Sequence, residues 1–199
     1  MNTPLKTCKL FFLFALLVFL PTACGPSNNV RLLPLPALAN APLPTPNAPS
    51  VAVVLFEDTR MDQSSIGTRR DHSAFVTNDN VAQWVSKSLA EELANNGLLV
   101  SFALNTDQAR KGNPDYLILG QLSEVTLQET SATEIASSMQ ASFSLANRQK
   151  RIMRETMHSA QTYSGLPSGN AANNLMLNTL RELVKPMAQK IIQTIGAKK

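Results

Sequence analysis

The sequence predicts an α+β fold, a mixed sheet of four to five strands with two helices packed on one face, in β-α-β-β-β-α order. Three observations carry this. Val51 to Phe56 (VAVVLF) is a continuous apolar, β-branched run, the mark of a strand covered on both faces. Two segments repeat apolar residues at helical spacing: Val81, Trp84, Val85, Leu89 and Leu93, and then Met176, Leu180, Leu183, Val184, Met187, Ile191 and Ile195. Between them, Met139, Ala141, Phe143 and Leu145 alternate with Gln140, Ser142, Ser144 and Ala146, which is the period of a half-buried strand. Residues 50–199 form the single α+β domain, preceded by a signal peptide (1–23) and a proline-rich linker (24–49).

In chain order, the strand over residues 51–56 ends at Glu57-Asp58, and the polar residues 57–72, with Gly67, read as a long loop. Ser73 to Thr77 is a short strand. Asn78 or Asp79 caps a helix that reaches Asn96, stopped by Asn95-Asn96-Gly97. Leu98 to Leu104 is the next strand, and a right-handed crossover puts the helix on one face of the sheet. Residues 106–112 read as a connection. A turn at Asn113-Pro114-Asp115 opens a long strand over 116–127, in which Gly120 is a candidate bulge. Residues 128–138 read as a polar connection. The strand over 139–146 turns at Asn147 to Lys150, and Arg151 to Gln161 returns as its hairpin partner, with basic residues that discourage edge-to-edge pairing. A break at Gly165 to Gly169 precedes the last helix, which Pro186 is predicted to kink or split.

The front of the chain is the most directive part. Lys6 and Lys9 precede eleven apolar residues, Leu10 to Leu20, followed by Pro21-Thr22-Ala23 and then Cys24. A positive n-region, an apolar h-region and a small-residue site make an export signal. The run is short for a membrane span, which needs about 20 residues. A cysteine directly after the small residues resembles the lipobox of bacterial lipoproteins, which implies acylation of Cys24 and cleavage between Ala23 and Cys24. Pro21 departs from the leucine usual three places before the cysteine. An ordinary secretory signal and an uncleaved anchor are the alternatives. Pro26, Pro34, Pro36, Pro42, Pro44, Pro46 and Pro49 then forbid regular structure, so the linker reads as a stalk of up to about 80 Å when extended. Leu32, Leu33, Leu35, Leu38 and Leu43 make it apolar for a spacer and leave docking onto the domain or a partner open.

Composition narrows the function. Removing residues 1–23 takes two of the 18 basic residues and none of the 14 acidic ones, so the formal charge falls from +4 to +2. That excess does not argue for nucleic acid. The two cysteines are Cys8, in the removed segment, and Cys24, so the mature domain has no disulfide and no cysteine metal site. The two histidines, His72 and His158, neither pair with a Gly-x-Ser-x-Gly elbow nor share metal-ligand spacing. No catalytic residue, metal ligand or cofactor is expected. The candidate binding loop is Arg60, Arg69, Arg70 and His72, because arginine forks grip carboxylate or phosphate in a bidentate manner. Internal pairing with Glu57, Asp58, Asp62 and Asp71 is the competing reading. Trp84 reads as core.

The loop DTR…IGTRRD, the block VAQWVSKSLAEELANNGLLV and the polar strand after DYLILG together resemble the YajG-type family of bacterial lipoproteins over about residues 50–195. The resemblance implies an outer-membrane lipoprotein, anchored in the inner leaflet and facing the periplasm. Gly25, rather than Asp, suits that sorting. The architecture is also similar to auxiliary lipoproteins of lipid transporters. The expected function is a non-enzymatic accessory module of an envelope assembly, with the membrane and an envelope protein as partners. The alternative is a lipid- or glycan-binding auxiliary lipoprotein of a transport system.

Overall fold

The computed structural model describes residues 27–36, 38–165, 168 and 170–196, so Ala23, Cys24 and the signal peptide lie outside the described residues. The elements among the described residues are β1 Ser50–Val54, β2 Glu57–Asp58, β3 Gly67–Thr68, β4 Ala74–Phe75, α1 Val81–Asn95, β5 Leu99–Ala103, α2 Thr106–Lys111, β6 Tyr116–Ser131, β7 Glu134–Asn147, β8 Arg151–Ser164 and α3 Ala171–Gly196. The α+β class is as expected. Among the described residues the counts differ, with an eight-stranded curled open sheet and three helices in place of four to five strands and two helices.

β6 is the spine of the sheet. Along one edge it takes three parallel partners in succession: β1 at Tyr116 to Ile118, β2 at Gln121 and Leu122, and β3 at Leu127 and Gln128. Along the other it pairs antiparallel with β7 over nearly its whole length, and β7 pairs with β8. β5 flanks β1 in parallel, and β4 flanks β3. The polar residues 128–138, expected as a connection, are therefore the tip of a continuous hairpin turning at Ala132-Thr133, and β8 likewise runs on to Ser164. Alternation explains why a polar stretch can be strand: Ile135, Ser137, Met139, Ala141, Phe143 and Leu145 face inward and are buried. β2 and β3 were expected as loop for the same reason, since the edge of β6 recruits them through the backbone.

The bulge lies at Ser123 rather than Gly120. Leu122 faces Ala141 and Glu124 faces Gln140, so Ser123 is the extra residue. It shifts the inward set from Ile118 and Leu122 to Val125 and Leu127, keeping all four buried. Gly120 has a different job. A Cβ there would lie 2.5 Å from Phe56 Cζ, so the strand stays bare where the buried Phe56 ring crosses it.

α1 and α3 cover one face of the sheet, enclosing Val51, Val53, Ile118, Leu122, Met139 and Phe143 with Leu89, Leu93, Met176, Leu180, Leu183 and Met187. Asn80, rather than Asn78 or Asp79, caps α1, its Oδ1 accepting from Gln83 N at 2.8 Å. Asp79 is occupied elsewhere, accepting from Leu32 N at 2.9 Å. Ser86 on α1 donates to Ala82 O and accepts from Phe56 N at 2.9 Å, which satisfies a buried amide just beyond β1. The unexpected helix, α2, lies on the opposite face. Its Ala109 packs with Ala52, Val54, Ala103 and Leu117, so β1 is covered on both sides. α3 runs unbroken through Pro186. Leu183, Val184, Met187 and Ala188 are all buried around it, and Glu182, whose carbonyl loses a donor, is exposed to water.

The proline-rich segment divides in two. From Asn28 to Leu35 it docks on the domain. Val76 N donates to Asn28 O at 3.0 Å and Val30 N to Val76 O at 2.8 Å, adding a parallel bridge beside β4. Arg31 N donates to Asn173 Oδ1 at 3.1 Å, and Trp84 Nε1 donates to Leu33 O at 2.8 Å. Val30 and Leu32 are buried in the main core, with Leu35 packed against it, whereas Leu38 and Leu43 are 58% and 88% exposed. Trp84 is a core residue, 8% exposed.

The Gly120–Phe56 crossing gives a packing test. Gly120→Ala is expected to cost about 1–3 kcal/mol in urea unfolding, the usual range for overpacking. Phe56→Leu in the same chain should recover part of that loss. Strictly additive losses would show that the ring does not limit position 120.

Candidate functional site

The segment from Glu57 to Phe75 runs along β6, fastened at β2 and again at β3. This fastening decides what each arginine can do. Arg60 sits beside Leu122, where Thr59 N donates to Leu122 O at 2.9 Å. Its guanidinium is consumed internally. Nε and Nη2 grip the two oxygens of Asp58 at 2.9 and 2.8 Å, and Nη1 donates to Ser65 O at 3.0 Å. At 8% exposure, Arg60 is a strut across the base of the loop. Burial pushes the Asp58 carboxyl upward, and the hydrogen bonds and charge of Arg60 outweigh that, holding it below the usual carboxylate range. Within the loop, Asp62 accepts from Ser64 and Ser65, which lower its pKa to about 2.

Arg69 meets Glu129, seven residues beyond Leu122 on β6 and roughly 20 Å away at strand spacing. It too is engaged. Nε and Nη2 meet Glu129 Oε1 at 3.1 and 3.0 Å, Nη1 donates to Asn28 Oδ1 at 2.8 Å, and the group stacks 5.7 Å above the Phe75 ring. One guanidinium thus ties β6, the docked N-terminal segment and β4 together. Arg70 and His72 occupy the exposed turn between β3 and β4. His72 takes φ +67°, closing the turn through His72 N to Arg69 O at 3.0 Å and Arg69 N to Ser73 O at 2.8 Å. The four predicted loop residues therefore do not converge. Arg60 and Arg69 are internal struts at separate levels of β6, and Arg70 and His72 alone face solvent. Gly67, at φ +147°, lets the chain touch β6, since a Cβ there would lie 1.8 Å from Leu127 O.

A second assembly, not anticipated from the sequence, lies on the sheet face opposite α1 and α3. A groove of about 390 Å³ is lined there by Glu57, Gln121, Ser142, Ser144, Arg151 and Arg154 with Val54 and Leu119. Hairpin register builds it: Leu119, Ser144 and Arg154 form one cross-strand row. Gln121 Nε2 donates to Glu57 Oε2 at 2.9 Å, fixing the carboxylate at the rim. The alternation of β7 already marked Ser142 and Ser144 as outward, and the missing signal was the partner register that adds the arginines. Two guanidiniums, a carboxylate, an amide and hydroxyls form a hydrogen-bonding set suited to a polar ligand. His158 is exposed on β8, and among the described residues no three His, Cys, Asp or Glu side chains group to hold a metal. No helix among the described residues is long and apolar enough to cross a membrane.

Two outcomes test these assignments. Arg69→Ala is expected to lose about 3 kcal/mol, the scale of a largely buried pair broken from one side, and Arg70→Ala to stay within about 0.5 kcal/mol. Equal losses in urea unfolding would contradict the division. For the Arg60 strut the sign is set by the depressed Asp58 pKa. Its stabilisation is complete above the ordinary carboxylate pKa and disappears as pH falls through the lower folded value. Arg60→Gln should therefore be less stable at pH 7 and lose less on acidification from pH 5 to pH 3 than the parent chain.

No family model matches the chain, and no curated protein matches it in sequence. Among solved structures, the chain is similar to a Xanthomonas campestris protein of the DUF330 family, with TM-score 0.60 and 14% identity over 87% of this chain and 95% of that one. Weaker overlaps occur with a hypothetical protein from Chlamydia trachomatis (TM-score 0.47, 12% identity, 72% and 95% covered) and a minor lipoprotein from Acinetobacter baumannii (TM-score 0.39, 18% identity, 79% and 95% covered). At 14% identity, the likeness to the DUF330 protein establishes a shared fold.

Proposed function

We propose that this chain is a membrane-anchored lipoprotein of the bacterial cell envelope, of the YajG type, that serves as a non-enzymatic accessory module binding an envelope protein. The apolar run, the Pro21-Thr22-Ala23 site and Cys24 support acylation of Cys24 and cleavage after Ala23. Gly25 supports the inner leaflet of the outer membrane, with the domain in the periplasm. One observation carries the binding role. β8 is 14 residues long and, among the described residues, pairs only with β7, so its outer edge offers unpaired backbone donors and acceptors. An extended segment of a partner can add to such an edge as a further strand. The polar groove beside Arg151 and Arg154 favours a second reading, an auxiliary lipoprotein that takes a glycan acid there. Its lining suits sugar hydroxyls and carboxylate better than an acyl chain.

Photocrosslinking residues placed at Thr156 and His158 on β8 should capture one protein partner through an extended segment, while Lys185 on the exposed side of α3 should not. Capture from Lys185 alone would contradict strand addition. Intact mass of the membrane-extracted chain should show loss of residues 1–23 and added acyl mass, both abolished by Cys24→Ala.

A further inference from the structure

The docked N-terminal segment leaves almost no free chain between Cys24 and the folded body. Asn28 is held twice, by Val76 N on its carbonyl and by Arg69 Nη1 on its side chain. Cys24 precedes it by four residues, so the two Cα atoms lie within about 14 Å of each other. β6, by contrast, spans roughly 50 Å along its 16 residues. Asn28 sits at the hairpin end of that strand, since Arg69 joins it to Glu129, and Glu129, Ile135 and Tyr163 form one row across β6, β7 and β8.

From this we infer that the domain does not stand off the bilayer on a stalk: the end bearing Asn28, the Arg70–His72 turn and the β6–β7 hairpin tip faces the lipid headgroups, and the opposite end is held away. The inference rests on Cys24 being the anchored residue and concerns how the anchor presents the domain. The length of the tether, rather than surface charge, sets this orientation. At the tethered end, Arg69 is neutralised by Glu129, Asp71 is held ionised by Ser73 beside exposed Arg70, and Val76 and Tyr163 are 36% and 37% exposed, a mixed surface of the kind that sits at a headgroup boundary. The far end carries Arg110, Lys111, Arg148, Lys150, Arg151 and Arg154, with Asp115 paired to Arg148. Held outward, it would face the periplasm with the edge of β8 running up from the membrane.

The mature chain's one cysteine is acylated on this reading, so a single introduced thiol can be labelled. Full-length protein, processed in vivo and reconstituted into phosphatidylethanolamine–phosphatidylglycerol vesicles, would carry an environment-sensitive fluorophore at Arg70→Cys or at Gln149→Cys. Headgroup spin-labelled lipid should quench the Arg70→Cys label several-fold more strongly than the Gln149→Cys label. Ten Gly/Ser residues inserted after Gly25 should bring Arg70→Cys quenching close to the Gln149→Cys level. Equal quenching at the two sites, or quenching at Arg70→Cys that survives the insertion, would overturn the orientation. Intact mass of the same samples separates the two readings. An unacylated chain defeats the anchor itself, whereas an acylated chain with equal quenching defeats only the orientation.

Discussion

The double pairing of β6 is the constraint on which the rest of the molecule depends. One strand supplies both an antiparallel edge for the β7–β8 meander and a parallel edge on which β1, β2 and β3 are seated one after another. The helices follow, because α1 returns the chain from β4 to β5 and α3 closes the same face. The loop geometry follows as well. Each short strand on the β6 edge fixes a guanidinium, Arg60 near Leu122 and Arg69 near Glu129, so residues close in sequence end at separate levels.

What was legible in the sequence is what burial dictates. The VAVVLF run, the two helical stripes and the alternation of Met139 to Leu145 each meet a surface that demands those side chains, and all lie where expected. What was not legible depends on pairing. Gln128, Glu129 and Ser138 lie in a stretch too polar to announce a strand, yet backbone ladders hold them, and Ser138 hydrogen-bonds with Thr126 and Glu124 of the expected strand on the outer face. α2 carries a single buried residue, Ala109, so no periodicity could declare it. At Pro186, local propensity yields to the buried residues on either side.

The candidate site was legible in composition and hidden in arrangement. Three arginines and a histidine in one loop suggested a single grip. The carboxylates that claim Arg60 and Arg69 come from Asp58 nearby and from Glu129, 60 residues away. The distant partner could be found only from the register of β3 on β6. The groove had the opposite difficulty. Ser144 and Arg154 are hairpin partners, whereas Glu57 is far from both in sequence, and β6, pairing with β2 on one edge and β7 on the other, brings the three together. The N-terminal leucines sorted themselves by position: Leu32 is buried, whereas Leu43 lies on the surface.

The docked N-terminal segment also carries a kinetic consequence. Its contact from Arg31 N to Asn173 spans 142 residues, whereas the β6–β7–β8 meander closes through two tight turns. Loop-closure entropy makes the meander the early event and the N-terminal segment the late one. The native pairings thus become available in the order that leaves that segment for last. Settling Val30 and Leu32 into the core becomes the step that closes folding.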